Sequence, residues 1–111
     1  GPRTVVDIAV KFEDPSVSND LSVVRREIKM LYASLVGDNM DAEDVVVYDM
    51  SSLGVTRAVV YAPTRDQAEN FQGIMECCAG NIFAQHVLLG RYGAVTVVAL
   101  SLAEGVVLPP P

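Results

Sequence analysis

Tryptophan is missing from this chain of 111 residues, histidine occurs once, and the two cysteines are neighbours, Cys77 and Cys78. Adjacent cysteines seldom bond to each other, and on a helix their side chains diverge by about 100°. A secreted scaffold stapled by disulfides is therefore excluded. No Asn-x-Ser/Thr glycosylation site occurs, which leans toward an intracellular or unglycosylated setting. Long apolar runs are missing too. The longest, such as Ala94–Leu100 and Val45–Val47, fall well short of the roughly 20 residues that cross a bilayer as a helix. Positive charge is scarce: 8 Lys and Arg stand against 14 Asp and Glu, for a net charge of −6. Backbone binding of nucleic acid rests on clustered cations, as does docking on an anionic membrane. The expected partner is thus neither a nucleic acid nor a membrane surface.

What remains is a chain that folds. Half of it is hydrophobic and 20% is charged, which argues against disorder and suits one domain with its own core. Gly1-Pro2 reads as the scar of a removed tag. The expected organisation is a single domain over residues 3–103, with 104–111 opening a linker whose Pro109-Pro110-Pro111 cannot enter a sheet.

Thr4 to Glu13 alternates, with Val6, Ile8, Val10 and Phe12 on one face and Asp7, Lys11 and Glu13 on the other, the pattern of a strand with one buried face. Ser18, Asn19 or Asp20 is placed to cap a helix over Leu21–Val36. Its apolar stripe runs Leu21, Val24, Ile28, Leu31, Leu35, and Gly37 closes it. Two β-rich runs follow, Asp44–Met50 and Val55–Ala62, with Gly54 in the short loop between them, which predicts a hairpin. Thr64 and Gln67 have the capping-box spacing. They start a second helix with the stripe Ala68, Phe71, Met75, Cys78, expected to end near Gly80, with a further short turn over Phe83–Leu88 as an option. Ala94–Leu102 is the last strand. The order β-α-β-β-α-β predicts an α+β, ferredoxin-like sandwich: a four-stranded antiparallel sheet with both helices on one face.

Such a sheet leaves one face open. Pairing Met50 with Val55 puts Val45, Val47, Ala58 and Val60 on the helix side. Val46, Tyr48, Met50, Arg57, Val59 and Tyr61 then fall on the open side, with Tyr48 facing Arg57 for a cation–π contact. Val5 and Ala9 extend this surface. A solvated sheet carries less apolar area, so Val46, Tyr48, Arg57, Val59 and Tyr61 are the expected interaction face. The competing account is that these are scattered β-formers, or that a loop or the C-terminal tail covers them.

No catalytic or metal-binding pattern survives inspection. Cys77, Cys78 and His86 are the nearest to a reactive cluster, since a histidine can activate a thiolate, but Cys78 continues an apolar stripe. The acidic loop Asp38–Asp44 fails the calcium-loop pattern, because Met40 and Ala42 stand where oxygen ligands belong and Glu43 where the turn glycine belongs. Gly90-Arg91-Tyr92-Gly93 matches GxxG but leads into a strand, so a turn explains it better than a nucleic-acid clamp. No stacking aromatic falls on the open face of the first strand, as an RNA-binding sheet of this type would need. The phosphate loop of acylphosphatases is missing as well.

The element order, the length and the linker-like tail resemble SEA domains, extracellular modules of membrane-anchored and adhesive proteins. Many of those cleave themselves at a GSVVV sequence in the hairpin. The matching place here reads Leu53-Gly54-Val55-Thr56, so the glycine is present and the nucleophilic serine is not. The resemblance implies an interaction module without autoproteolysis, on the outer side of a membrane protein. ACT-type regulatory domains share the element order and imply an intracellular sensor of small ligands. The expected function is a non-catalytic protein-interaction module from a larger multidomain protein, membrane-anchored or a scaffold, without cofactor or metal. Its partner would be a protein, a neighbouring domain or a second copy, met by the open sheet face or an edge strand. The ligand sensor is the alternative.

Overall fold

Alternation along the first strand builds the middle of the domain. In the computed structural model, which describes residues 2–106, β1 runs Arg3–Phe12 and turns Val6, Ile8, Val10 and Phe12 fully inward. It is followed by α1 (Leu21–Val36), β2 (Val45–Met50), β3 (Val55–Ala62), α2 (Arg65–Gln85) and β4 (Val95–Val106). The strands form one antiparallel sheet in the order β2-β3-β1-β4. This is the expected α+β, ferredoxin-like arrangement. One core joins the inward residues of all four strands to buried residues of both helices, among them Ile28, Tyr32, Phe71, Met75 and Phe83.

The helix bounds of α1 are those read from the sequence, but its stripe is rotated. Val24, Ile28, Tyr32 and Val36 lie at its centre and Leu31 and Leu35 only at its margin, while Leu21 is exposed. Tyr32 decides the rotation, because its ring packs edge-on against Phe71 and Phe83, which secures more buried area than a leucine would. Desolvation there raises the Tyr32 phenol above its ordinary value.

The second helix does not stop at Gly80. It continues to Gln85, and its buried face is Ala68, Phe71, Met75, Ala79 and Phe83 rather than a stripe through Cys78. A glycine inside a helix costs about 1 kcal/mol, which burying Phe83 more than offsets. A Cβ at Gly80 would lie 3.6 Å from the Val95 carbonyl oxygen, so a small residue also suits the approach of β4. Strand β4 likewise outruns its expected bounds, pairing to Val106 opposite Arg3. The proline tail lies outside the described residues.

Two polar side chains serve different partners from those expected. Thr64 Oγ1 accepts from the Gln67 backbone N–H as a cap should. The Gln67 amide, however, donates to the Asp38 carbonyl at 2.7 Å and the Val36 carbonyl at 3.5 Å. One side chain thus fastens the start of α2 to the end of α1. Asp20, the N-cap of α1, makes no side-chain cap bond and instead accepts from the Tyr92 hydroxyl.

Thr56 is a local misfit. It is buried on the helix side of β3, and its hydroxyl finds no partner among the described residues. Such an orphan costs about 1–3 kcal/mol. Thr56→Val is therefore expected to stabilise the domain by about 1 kcal/mol, read as a higher urea midpoint at unchanged slope. A lower midpoint would show that the hydroxyl is satisfied.

Candidate interaction face

The hairpin that carries the candidate residues is held by its own turn. The Ser51 hydroxyl accepts from the backbone N–H groups of Leu53 and Val55, and Gly54 adopts φ +84°. Beyond this turn the register is Val45↔Val60, Val46↔Val59 and Val47↔Ala58, as expected, and then it shifts. Asp49 pairs with Arg57 and Met50 with Thr56. Tyr48 is the extra residue of a β-bulge.

That bulge corrects two expectations. Met50 returns to the helix side, where it packs half-buried against the core, because one inserted residue flips the alternation beyond it. Tyr48 does not face Arg57 across the ladder. Arg57 pairs with Asp49, its Nε 3.9 Å from the carboxylate, and the Tyr48 hydroxyl donates to Asp7 Oδ1 at 3.1 Å. Asp7 lies on β1, beyond β3. With strands about 4.8 Å apart, the tyrosine must lie across β3 to reach it. Loss of water around the ring, and then the Asp7 carboxylate, push the Tyr48 phenol above its ordinary value, while Arg57 acts in the opposite sense.

The open face therefore has two ends. At one end the row Tyr61–Val5–Ala103 is apolar, and the next row, Val46–Val59–Asp7–Ser101, is apolar on β2 and β3 and polar on β1 and β4. At the other, Asp49 and Arg57 sit in line with Ala9 and Ala99, and Val55 with Lys11 and Thr96. Val46 is 45% and Tyr48 50% exposed, and Arg57, Val59 and Tyr61 are half-buried. The structure thus brings Val46, Tyr48, Arg57, Val59 and Tyr61 onto one surface. Ala9 is only 1% exposed and adds almost nothing to it, which corrects its expected part in this surface; its partner on β3 is the much longer Arg57. The edges of the sheet are less inviting. β2 is bulged at Tyr48 and β4 at Val98, opposite the Ala9–Val10 step of β1. Bulges twist an edge away from further pairing.

The cysteines and the histidine are separately engaged. Cys77 and Cys78 are joined by a disulfide, S–S 2.04 Å, contrary to the expectation from their divergence around a helix. The two Cα atoms are 3.7 Å apart, so the sulfurs are within reach although the side chains leave the helix in different directions. The bond joins neighbours within α2 and ties no two elements together. His86 follows the last residue of that helix, its backbone N–H donating to the Phe83 carbonyl, and its ring holds the turn beyond. Its Nδ1 accepts from the backbone N–H groups of Leu88 and Leu89, and its Nε2 lies 3.8 Å from Glu27 Oε1.

In the acidic loop, Asp41 and Asp44 cap each other's backbone around a short turn, Ala42–Asp44, and Glu43 pairs with Lys29. The GxxG run falls on a 3-10 turn, Leu89–Tyr92, with Gly93 as its C-cap before β4, and Tyr92 in it is buried. A feature that pattern reading passed over is a groove of about 340 Å³ between α1 and the Ala42–Asp44 turn, lined by Ser22, Arg25, Arg26, Lys29, Met30, Ala42 and Glu43. Three cations within five residues of a −6 chain were its signal. No family model, no curated protein and no solved structure matches this chain.

Proposed function

We propose that the domain is a non-catalytic protein-interaction module of a larger multidomain protein, and that it meets its partner through the apolar end of the open sheet face. One observation carries this reading: Val5, Val46, Val59 and Tyr61 form adjoining rows on the side of the sheet away from both helices. Rows of this kind cost free energy in water and are used where a second surface removes them from it. The bulged edges favour the face over strand addition. Asp49, Arg57 and Tyr48 would form the polar rim that fixes orientation. A position on the outer side of a membrane-anchored protein accords with the SEA-like element order.

The occupant argued for is a second copy of the same face, since apolar rows on an antiparallel sheet can stack on themselves about a two-fold axis. Light scattering after size exclusion tests it with the wild-type chain and the variant Val59→Lys, Tyr61→Lys. Wild type is expected to associate and the variant to be a monomer, because each lysine must be desolvated in the contact. If both are monomers across the concentration range, the homotypic form of the proposal is lost.

A further inference from the structure

The groove on α1 lies outside the surface used above. It is built from a helix face that is unfavourable for the isolated helix. Arg25 and Lys29 stand at i, i+4 and Arg26 and Lys29 at i, i+3, so like charges are stacked where opposite charges would support the helix. Only part of this charge is neutralised. Arg26 pairs with its own neighbour Glu27 at 3.3 Å, and Lys29 reaches Glu43 at 3.3 Å across the groove. Arg25 has no ion pair among the described residues. The Glu43 side chain is 84% exposed and that of Lys29 23%, so Glu43 is the loosely held partner of the pair, and an incoming carboxylate can take its place beside Lys29.

The same groove has an apolar part. Met30 is 52% exposed at its wall. Methionine adapts its shape to varied side chains and recurs on surfaces that accept peptides. A volume of about 340 Å³ is at the small end of ligand pockets, which span about 300–1,000 Å³. An open groove of that size suits one or two side chains of a longer ligand. Its charge is opposite to that of the whole chain, which is −6. The overall field therefore repels polyanions such as nucleic acid or a lipid surface, while a short acidic segment meets mainly the local cations.

From these features we infer that the groove between α1 and the Ala42–Asp44 turn docks an acidic segment of a partner protein, with an aliphatic side chain as its anchor. The carboxylates pair with Arg25 and Lys29, and the anchor lies against Met30. This inference is independent of the open sheet face, and the lysine variant above leaves it untouched.

Fluorescence anisotropy with a short labelled peptide of repeating Glu-Glu-Leu tests it. The wild-type chain is expected to bind, with affinity falling as salt is raised. An Arg25→Glu, Arg26→Glu variant should bind roughly tenfold or more weakly. Both side chains are exposed, so circular dichroism should match wild type. Met30→Ser should weaken binding a few-fold with the salt dependence kept, because it removes the anchor's contact and no charge. Equal binding by wild type and the charge-reversed variant would overturn the assignment, as would equal binding of a Lys-Lys-Leu peptide. Tighter saturable binding of oligothymidylate or of phosphatidylserine vesicles would overturn it in favour of those ligands.

Discussion

Phe83→Ala is expected to destabilise the domain by about 3–5 kcal/mol, a large part of the roughly 5–15 kcal/mol that holds a domain of this size together. Phe83 is fully buried and meets the rings of Phe12, 5.4 Å away, and Tyr32, 6.3 Å away, both edge-on. Phe12 in turn meets Tyr92 at 6.0 Å. The ring therefore connects β1, α1 and the turn before β4. Its removal leaves a cavity that none of these can fill without leaving its place in the sheet or helix, which puts the expected cost in the upper half of the range. Urea unfolding should show a midpoint lower by about 2 M. Val87→Ala, at a side chain that is 91% exposed, should move it hardly at all. A loss below about 1 kcal/mol for Phe83→Ala would mean that α2 ends near Gly80 after all, with Phe83 outside the core.

Gly54→Ala should be the second costly change, at about 2–4 kcal/mol. Two independent reasons act on it. Its φ of +84° is strained for any residue with a Cβ, and that Cβ would lie 2.9 Å from the Phe12 carbonyl oxygen. The same residue accepts a hydrogen bond from the Phe12 N–H at 2.9 Å, so the hairpin turn cannot withdraw without breaking the contact that seats it on β1. Gly37→Ala separates the two effects. Gly37 has φ +97° but open space around it, so its substitution should cost only about 1 kcal/mol, the conformational part alone. Paired thermal or urea unfolding curves would report the difference. Equal losses at the two positions would exclude the close approach at Phe12 as the cause.

Much of the fold is legible in short stretches of chain. Period-2 alternation in β1, the bounds of α1, the hairpin runs and the glycine at position 37 each follow from residues within a few positions of one another, and their order fixes the topology through handedness and hairpin pairing. The candidate face was legible as far as this register held. From Val45 to Val47 the pairing is the one the alternation predicts. Past that point Tyr48 decides the outcome. Its hydroxyl bonds to Asp7 on a strand 41 residues away in sequence, and the bulge that accompanies this reach returns Met50 to the core. Neither fact is written in the hairpin itself.

The other departures have the same character. Gly80 reads locally as a helix end, and Phe83 overrides it because Phe12 of β1 and Tyr32 of α1 are there as neighbours. Gln67 has the spacing of a capping box, yet its amide goes to carbonyls at the end of α1. The basic groove needs the Ala42–Asp44 turn brought against α1. By itself, then, the sequence determined which segments become strands and helices, their order and the identity of most core positions, because propensity and periodicity act over a single turn or strand. The tertiary structure alone decided where α2 and β4 stop, which way the side chains beyond the bulge point and which polar groups meet, because those outcomes depend on surfaces that exist only once distant segments have packed.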